Sequence, residues 1–215
     1  MRRWRRCRAP TAPPPSRGRC LGADGTIGLE GFERCAELAR DRGLVYVDAP
    51  VLGTKKPAEK GQLVILASGP ETAREPLHPF FDAVGKRTIW VGEAGQGSRL
   101  KVVVNAWLCA VVEGTAEMLR LAEALGLEPR QALDAIEGGP LDAQYMRMKG
   151  NAMIAGDYTP SFRLPLAAKD ARLAVAAGKE AGAEIPAIEV IAAQLTAIGE
   201  AHPDEDVAVA FLGKG

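Results

Sequence analysis

The stretch Gly95-Gln96-Gly97-Ser98-Arg99-Leu100-Lys101-Val102-Val103-Val104-Asn105 marks a change of character along the chain. Before it, helical and strand-like periods alternate, and after it every segment reads as helix. Residues 98–125 keep helical spacing, with apolar side chains nearly all round the middle. Ser98 stands where an N-cap belongs and Gly126 where a helix stops. At 1.5 Å per residue such a helix is on the order of 40 Å long, enough to run through an all-helical domain. Helices are also expected at 129–137, about 141–150, 166–181 and 186–199, the last opened by Pro186. No later segment alternates with period 2.

On the amino-terminal side, Phe32, Cys35, Ala36, Leu38 and Ala39 share a helical face within 29–42, and Gly43 ends it. Leu44-Val45-Tyr46-Val47 reads as a strand, followed by Asp48-Ala49-Pro50 and a loop rich in Gly, Lys and Pro. Residues 63–67 are continuously apolar, the mark of a strand buried on both faces. A helix over 71–84 and a strand at Thr88-Ile89-Trp90-Val91 complete the alternation, which predicts a largely parallel sheet covered by helices. The expected architecture is an α/β fragment followed by an all-α helical domain, with the boundary near Gly95 and a basic, proline-rich leader over 1–25 ahead of both.

Composition fits that reading. The 215 residues are 47% hydrophobic and 25% charged, with only 5% aromatic, so the core must come from small and branched aliphatic side chains. The formal charge of zero hides a split, because residues 1–20 hold seven arginines and no acid, leaving 20 basic against 27 acidic groups in the remainder. That leader has no apolar core of a secretory signal, and an artefactual gene start, a disordered tail and an address all fit it. The longest unbroken apolar stretch, residues 106–112, is far short of a bilayer span. Cys7, Cys20, Cys35 and Cys109 lack metal-ligand spacing and read as reduced thiols of a cytoplasmic protein. His78 and His202 have no nucleophile signature near them. No metal, nucleic acid or membrane partner is expected.

Three segments together carry a resemblance: Asp48-Ala49-Pro50-Val51-Leu52-Gly53-Thr54-Lys55-Lys56-Pro57-Ala58-Glu59-Lys60-Gly61-Gln62-Leu63, the stretch 95–105 quoted above, and Lys169-Asp170-Ala171-Arg172-Leu173-Ala174. In this order and at these separations they resemble the signatures of the β-hydroxyacid dehydrogenases, the family of 3-hydroxyisobutyrate dehydrogenase. The Lys-Lys-Pro-Ala-Glu wording is closest to the glyoxylate/succinic semialdehyde reductase branch. The resemblance covers about residues 26–209 and implies that the α/β fragment is the C-terminal half of a Rossmann-type domain, a partial dinucleotide-binding domain over 26–95, joined by a long interdomain helix to a helical substrate and dimerisation domain over 96–215. It implies hydride transfer between a nicotinamide cofactor, NADPH ahead of NADH, and a small aldehyde or hydroxy acid, in a homo-oligomer. The family's G-x-G-x-x-G after a first strand is not found ahead of these segments, since Gly18, Gly22 and Gly25 fall in the leader. The expectation is therefore a family member with its front truncated, binding NADPH poorly as it stands. A non-catalytic remnant that only oligomerises or holds a partner is the alternative from another class. Imine reductases share the architecture but usually replace the lysine, so Lys101 argues against them.

Each candidate has a plain reading beside the functional one. Lys101 lies in the first turn of the long helix, where the dipole disfavours a cation. A solvated surface lysine is the ordinary alternative; the resemblance makes it the general acid of carbonyl reduction. Asn105, four residues on, shares its face and would orient lysine and substrate, or simply face water. Gly53 and Thr54 lie in the loop after a strand, where open α/β sheets bind ligands, and would approach a substrate carboxylate. Leu52 departs from the family's Val-Ser-Gly wording, which puts the substrate in question more than the chemistry. Lys169 would reach the cofactor and Asp170 help close the substrate site, against the plain option of an exposed charge pair. Phe162 would line the substrate pocket or pack in the core. Thr26 would face the nicotinamide side.

Overall fold

In the computed structural model, residues 20–23 and 26–213 are described. The elements in order are β1 (Cys20–Ala23), α1 (Gly28–Asp41), β2 (Val45–Asp48), β3 (Val51–Leu52), α2 (Lys55–Glu59), β4 (Leu63–Ser68), α3 (Arg74–Val84) and β5 (Gly85–Gly92). A helical series follows: α4 (Gln96–Ala124), α5 (Pro129–Ala135), α6 (Gln144–Ala155), α7 (Leu164–Ala181) and α8 (Pro186–Ala201), then a 3-10 turn at Val207–Leu212. The chain divides into two compact units, residues 1–102 and 103–215, so the division falls inside α4. The expected leader over 1–25 otherwise lies outside the described residues, but β1 falls within it, paired parallel with β2 from Cys20↔Val45 to Ala23↔Asp48. Four residues between arginines and glycines carry too little periodicity to announce a strand.

In the first unit β4 is the hub. All its residues except Val64 are buried, as its continuous apolar run requires. It runs parallel to β5 but antiparallel to β3 and, through the single pair Asp48↔Ser68, to β2. The sheet is thus mixed, not largely parallel as expected. The cause is the segment read as plain loop: Ala49 and Pro50 turn the chain after β2 into the short β3, which lies on the edge of β4. Val47, Ile65 and Ala67 of the sheet pack with Ala73 and Phe81 from the α3 side.

The second unit is built on small residues, as the low aromatic content implied. Ala116 of α4, Ala167 and Ala171 of α7 and Ala192 of α8 are almost fully buried and let the helices approach closely. Leu119, Leu133, Leu164 and Leu195 fill the space between them, each worth about 1.5–3 kcal/mol of apolar burial. Helix α4 is long and apolar enough to cross a membrane by length and composition, yet Cys109, Val112, Ala116 and Leu119 are packed in this protein core. Gly126 follows it at φ +78°, the left-handed conformation a helix stop needs.

A buried ion pair ties the carboxyl-terminal turn to α6. Lys149 Nζ lies 2.6 Å from Asp206 Oδ1, and both side chains are 3% exposed. Asp206 also accepts from the backbone N–H groups of Ser161, Phe162 and Ala208 and from the Ser161 hydroxyl. Burial pushes its carboxyl up, but Lys149 and these amides outweigh it and hold it below the ordinary carboxylate value. Glu113, paired with Arg120 at 3.1 Å, shows the opposite balance, and burial pushes its carboxyl up.

Candidate functional site

Helix α4 begins at Gln96, two residues before the expected N-cap, and Ser98 does not cap it. The first N–H groups of a helix lack partners within it, and the residue before this one, Gly95, has no side chain to offer. Strand ends supply the acceptors instead. Gly97 N donates to Ser68 Oγ at 2.9 Å, and Ser98 N donates to Asp48 Oδ2 at 2.6 Å. The Ser98 hydroxyl donates to Asp48 Oδ1 at 2.8 Å, and Ser68 Oγ donates to Oδ2 at 3.2 Å. Gly97 allows this close seating, because a Cβ there would stand 2.2 Å from the Leu66 carbonyl oxygen. Asp48 is 1% exposed; burial pushes its carboxyl up while the hydrogen bonds from Ser98 and Ser68 act against that.

Lys101 is half-buried on the first turns of α4, three residues beyond Ser98. Asn105 follows one turn later on the same face. It is 2% exposed, and its Nδ2 donates to Asp170 Oδ2 at 2.5 Å, while its Oδ1 is buried with no hydrogen-bond partner. Asp170, 3% exposed on α7, has its other oxygen 2.6 Å from Lys169 Nζ. Asn105, Lys169 and Asp170 are therefore brought together, although 65 residues separate the amide from the carboxylate. Asn105 does not face water. Beside them, burial pushes the Cys109 thiol up to about 12, helped by the Asp170 charge.

Gly53 has φ +130°, and a Cβ there would stand 2.8 Å from Leu63 Cδ2 and 3.2 Å from Pro57 Cβ, so backbone conformation and crowding together already favour glycine. Thr54 precedes α2, and its side chain makes no cap hydrogen bond. Phe162 packs against the core of the helical unit, and its N–H donates to Asp206. Thr26 is half-buried just ahead of α1. Among the described residues no group of three or more His, Cys, Asp or Glu is placed to hold a metal.

Sequence reasoning missed Asp48, Ser68 and Ser98 as a unit, and Lys149 with Asp206. The available signal for the first was an acidic residue directly after a buried strand, in Asp48-Ala49-Pro50. Nothing in the sequence pointed to the second.

Known proteins match both the sheet part and the helical part of the chain. The family model for the NAD-binding domain of NADP-dependent 3-hydroxyisobutyrate dehydrogenase matches residues 95–211, and that for the NAD binding domain of 6-phosphogluconate dehydrogenase matches residues 11–92. Glyoxylate/succinic semialdehyde reductase 1 of Arabidopsis thaliana is 36% identical over 161 residues, which are 75% of this chain and 56% of that protein. The 2-(hydroxymethyl)glutarate dehydrogenase of Eubacterium barkeri is 34% identical over 154 residues, 71% of this chain and 51% of that protein. The 3-hydroxyisobutyrate dehydrogenase of Mycobacterium tuberculosis, solved with L-serine, superposes with a TM-score of 0.83 at 26% identity, covering 91% of this chain and 69% of that one. This chain spans about half the length of the curated relatives it matches. The ordered motifs, the helix that carries Lys101 and Asn105 and the match over 95–211 lead to one conclusion: the chain belongs to the β-hydroxyacid dehydrogenase family.

Proposed function

We propose that the protein reduces a small aldehyde acid, such as glyoxylate or succinic semialdehyde, with NADPH preferred over NADH. The observation that carries this reading is Asn105: an amide buried one turn from Lys101, anchored by Asp170, with one carbonyl oxygen left unpartnered. A buried acceptor without a donor costs free energy, and the hydroxyl of the hydroxy acid that the reduction forms would satisfy it. The names of the relatives, semialdehyde reductase and hydroxymethylglutarate dehydrogenase, support the substrate class.

The donor set suits a nicotinamide cofactor. Lys169 is 38% exposed and held by Asp170, so its ammonium can face an anionic group while its position stays fixed. Lys169 and Thr26 would hold the cofactor, which when bound supplies the hydride. Lys101 holds a proton on Nζ and passes it to the carbonyl oxygen as negative charge develops there. Asn105 would accept from the hydroxyl of the hydroxy-acid product through the oxygen that its own fold leaves without a partner, and so hold that hydroxyl beside Lys101. Asp170 fixes Asn105 from one oxygen and Lys169 from the other. Gly53 and Thr54 would offer backbone and hydroxyl donors to the substrate carboxylate, with Leu52 as an apolar wall beside them.

Self-association accompanies this reading: Val103, Trp107 and Leu121 of α4 and Leu125 just after it are well exposed, and a second copy would cover them. Reduced Cys35 and Cys109 support a cytoplasmic setting.

The test is NADPH oxidation by the chain joined to an amino-terminal cofactor half taken from a relative, with succinic semialdehyde set against an aldehyde of equal length without the carboxylate and against NADH. Carboxylate-dependent turnover with NADPH ahead is expected, and Leu52→Ser should lower KM for the acid by about tenfold, the scale of one hydrogen bond to a charged group. Equal turnover of both aldehydes would overturn the substrate class.

A further inference from the structure

We infer that Asp48 is a positioning residue for α4: carried on the end of β2, it fixes the helix's first turn and, through that turn, the placement of Lys101. Its catalytic meaning rests on reading Lys101 as the proton donor. The geometry itself does not.

Most helices take their first acceptor from an adjacent Ser, Thr, Asp or Asn. Gly95 supplies none, and the acceptor for Ser98 N comes from 50 residues away. Both oxygens of the Asp48 carboxylate are used. Oδ1 takes the Ser98 hydroxyl, while Oδ2 takes the Ser98 N–H and the Ser68 hydroxyl. Ser68 then relays the hold to Gly97 N. Asp48 and Ser68 are partners in the sheet, so this clamp stands where β2 and β4 end side by side. With Gly97 seated on the Leu66 carbonyl, the height and rotation of the helix start are set by the sheet and not by a local cap.

Lys101 is the i+3 neighbour of Ser98, the residue that Asp48 holds by two hydrogen bonds. Rotation or retreat of the first turn therefore moves Lys101 directly. The carboxylate also places negative charge at the positive end of the helix dipole. Removing it leaves that end unopposed near the ammonium, which should then lose its proton more readily.

The test uses the full chain and trace acetylation of its lysines, with Lys101 read by peptide mass spectrometry against exposed Lys55 and Lys56 as internal references. In Asp48→Asn, Lys101 should acetylate about 2- to 5-fold faster relative to both, the scale of one charge at a helix N-terminus. Amide exchange at Gly97 and Ser98 should quicken in the same variant. Faster exchange with unchanged relative labelling of Lys101 would show that Asp48 only supports the fold, and would overturn the inference. If Asp48→Asn does not fold, Ser98→Ala removes one bond and should shift Lys101 in the same direction, with Ser98→Thr restoring it; no shift in Ser98→Ala, or no restoration, also overturns it. Full turnover in Lys101→Ala would instead overturn the proposed reaction and leave the labelling result standing.

Discussion

Two lysine–aspartate pairs in the helical unit have the same Nζ to Oδ1 distance, 2.6 Å, and opposite characters. Lys149 and Asp206 are both 3% exposed, and the amides of three residues and a hydroxyl complete the carboxylate's set of donors. Lys169 is 38% exposed, and the Asp170 beside it holds an amide whose own oxygen has no partner. The first arrangement is closed and has no capacity for a ligand. The second leaves one buried acceptor, Asn105 Oδ1, without a hydrogen-bond partner, which is the feature the proposed function uses. Distance alone does not tell the two apart; the valences left unfilled do.

Breaking the closed pair should have the largest effect. Lys149→Met leaves a buried carboxylate without its counter-charge and should lower stability by about 3–5 kcal/mol in denaturant unfolding. A loss below about 1 kcal/mol would remove the contrast. The pH response separates the pairs next. Because Asp206 is held below the ordinary carboxylate value, its stabilisation is fully present above that value and disappears as pH falls through the lower folded one. Asp48 and Glu113, pushed up by burial, contribute with the opposite sign, so the informative quantity is the difference from Asp206→Asn. The variant's deficit in thermal melting should be constant near neutrality and shrink below about pH 4. A deficit independent of pH would mean that the charge of Asp206 is not what stabilises the turn. The smallest stability effect is expected for Lys169→Met, no more than about 1 kcal/mol, since the lysine is partly exposed to water. NADPH affinity should nevertheless fall in that variant; unchanged affinity would return Lys169–Asp170 to an ordinary surface pair.

The helices were legible because each carries its own periodicity and stop signals. The long helix ends at Ala124, one residue before the expected 125, with Gly126 just beyond it as the stop signal, and its core face is recoverable from spacing alone. Its beginning was misread because the acceptors that set it, Asp48 and Ser68, lie 50 and 29 residues away and leave no local trace. The sheet's mixed direction was hidden for a related reason: β3 is two residues long and looks like loop until it pairs with β4. Lys101 and Asn105 were visible through their four-residue spacing and the motif around them. The Asn105–Asp170 bond was not, because it depends on the packing of α4 against α7. Gly53 shows the converse, where a position assigned to binding also has a sufficient packing cause.

The central claim is that α4 carries the proton donor of a carbonyl reduction. It is tested most directly by Lys101→Ala in NADPH-linked reduction of succinic semialdehyde, with thermal melting to confirm that the variant folds. Turnover should fall by roughly 10²-fold or more with cofactor affinity little changed, the usual scale for a positioned general acid. A folded Lys101→Ala variant that retained more than about half of the activity would contradict the account.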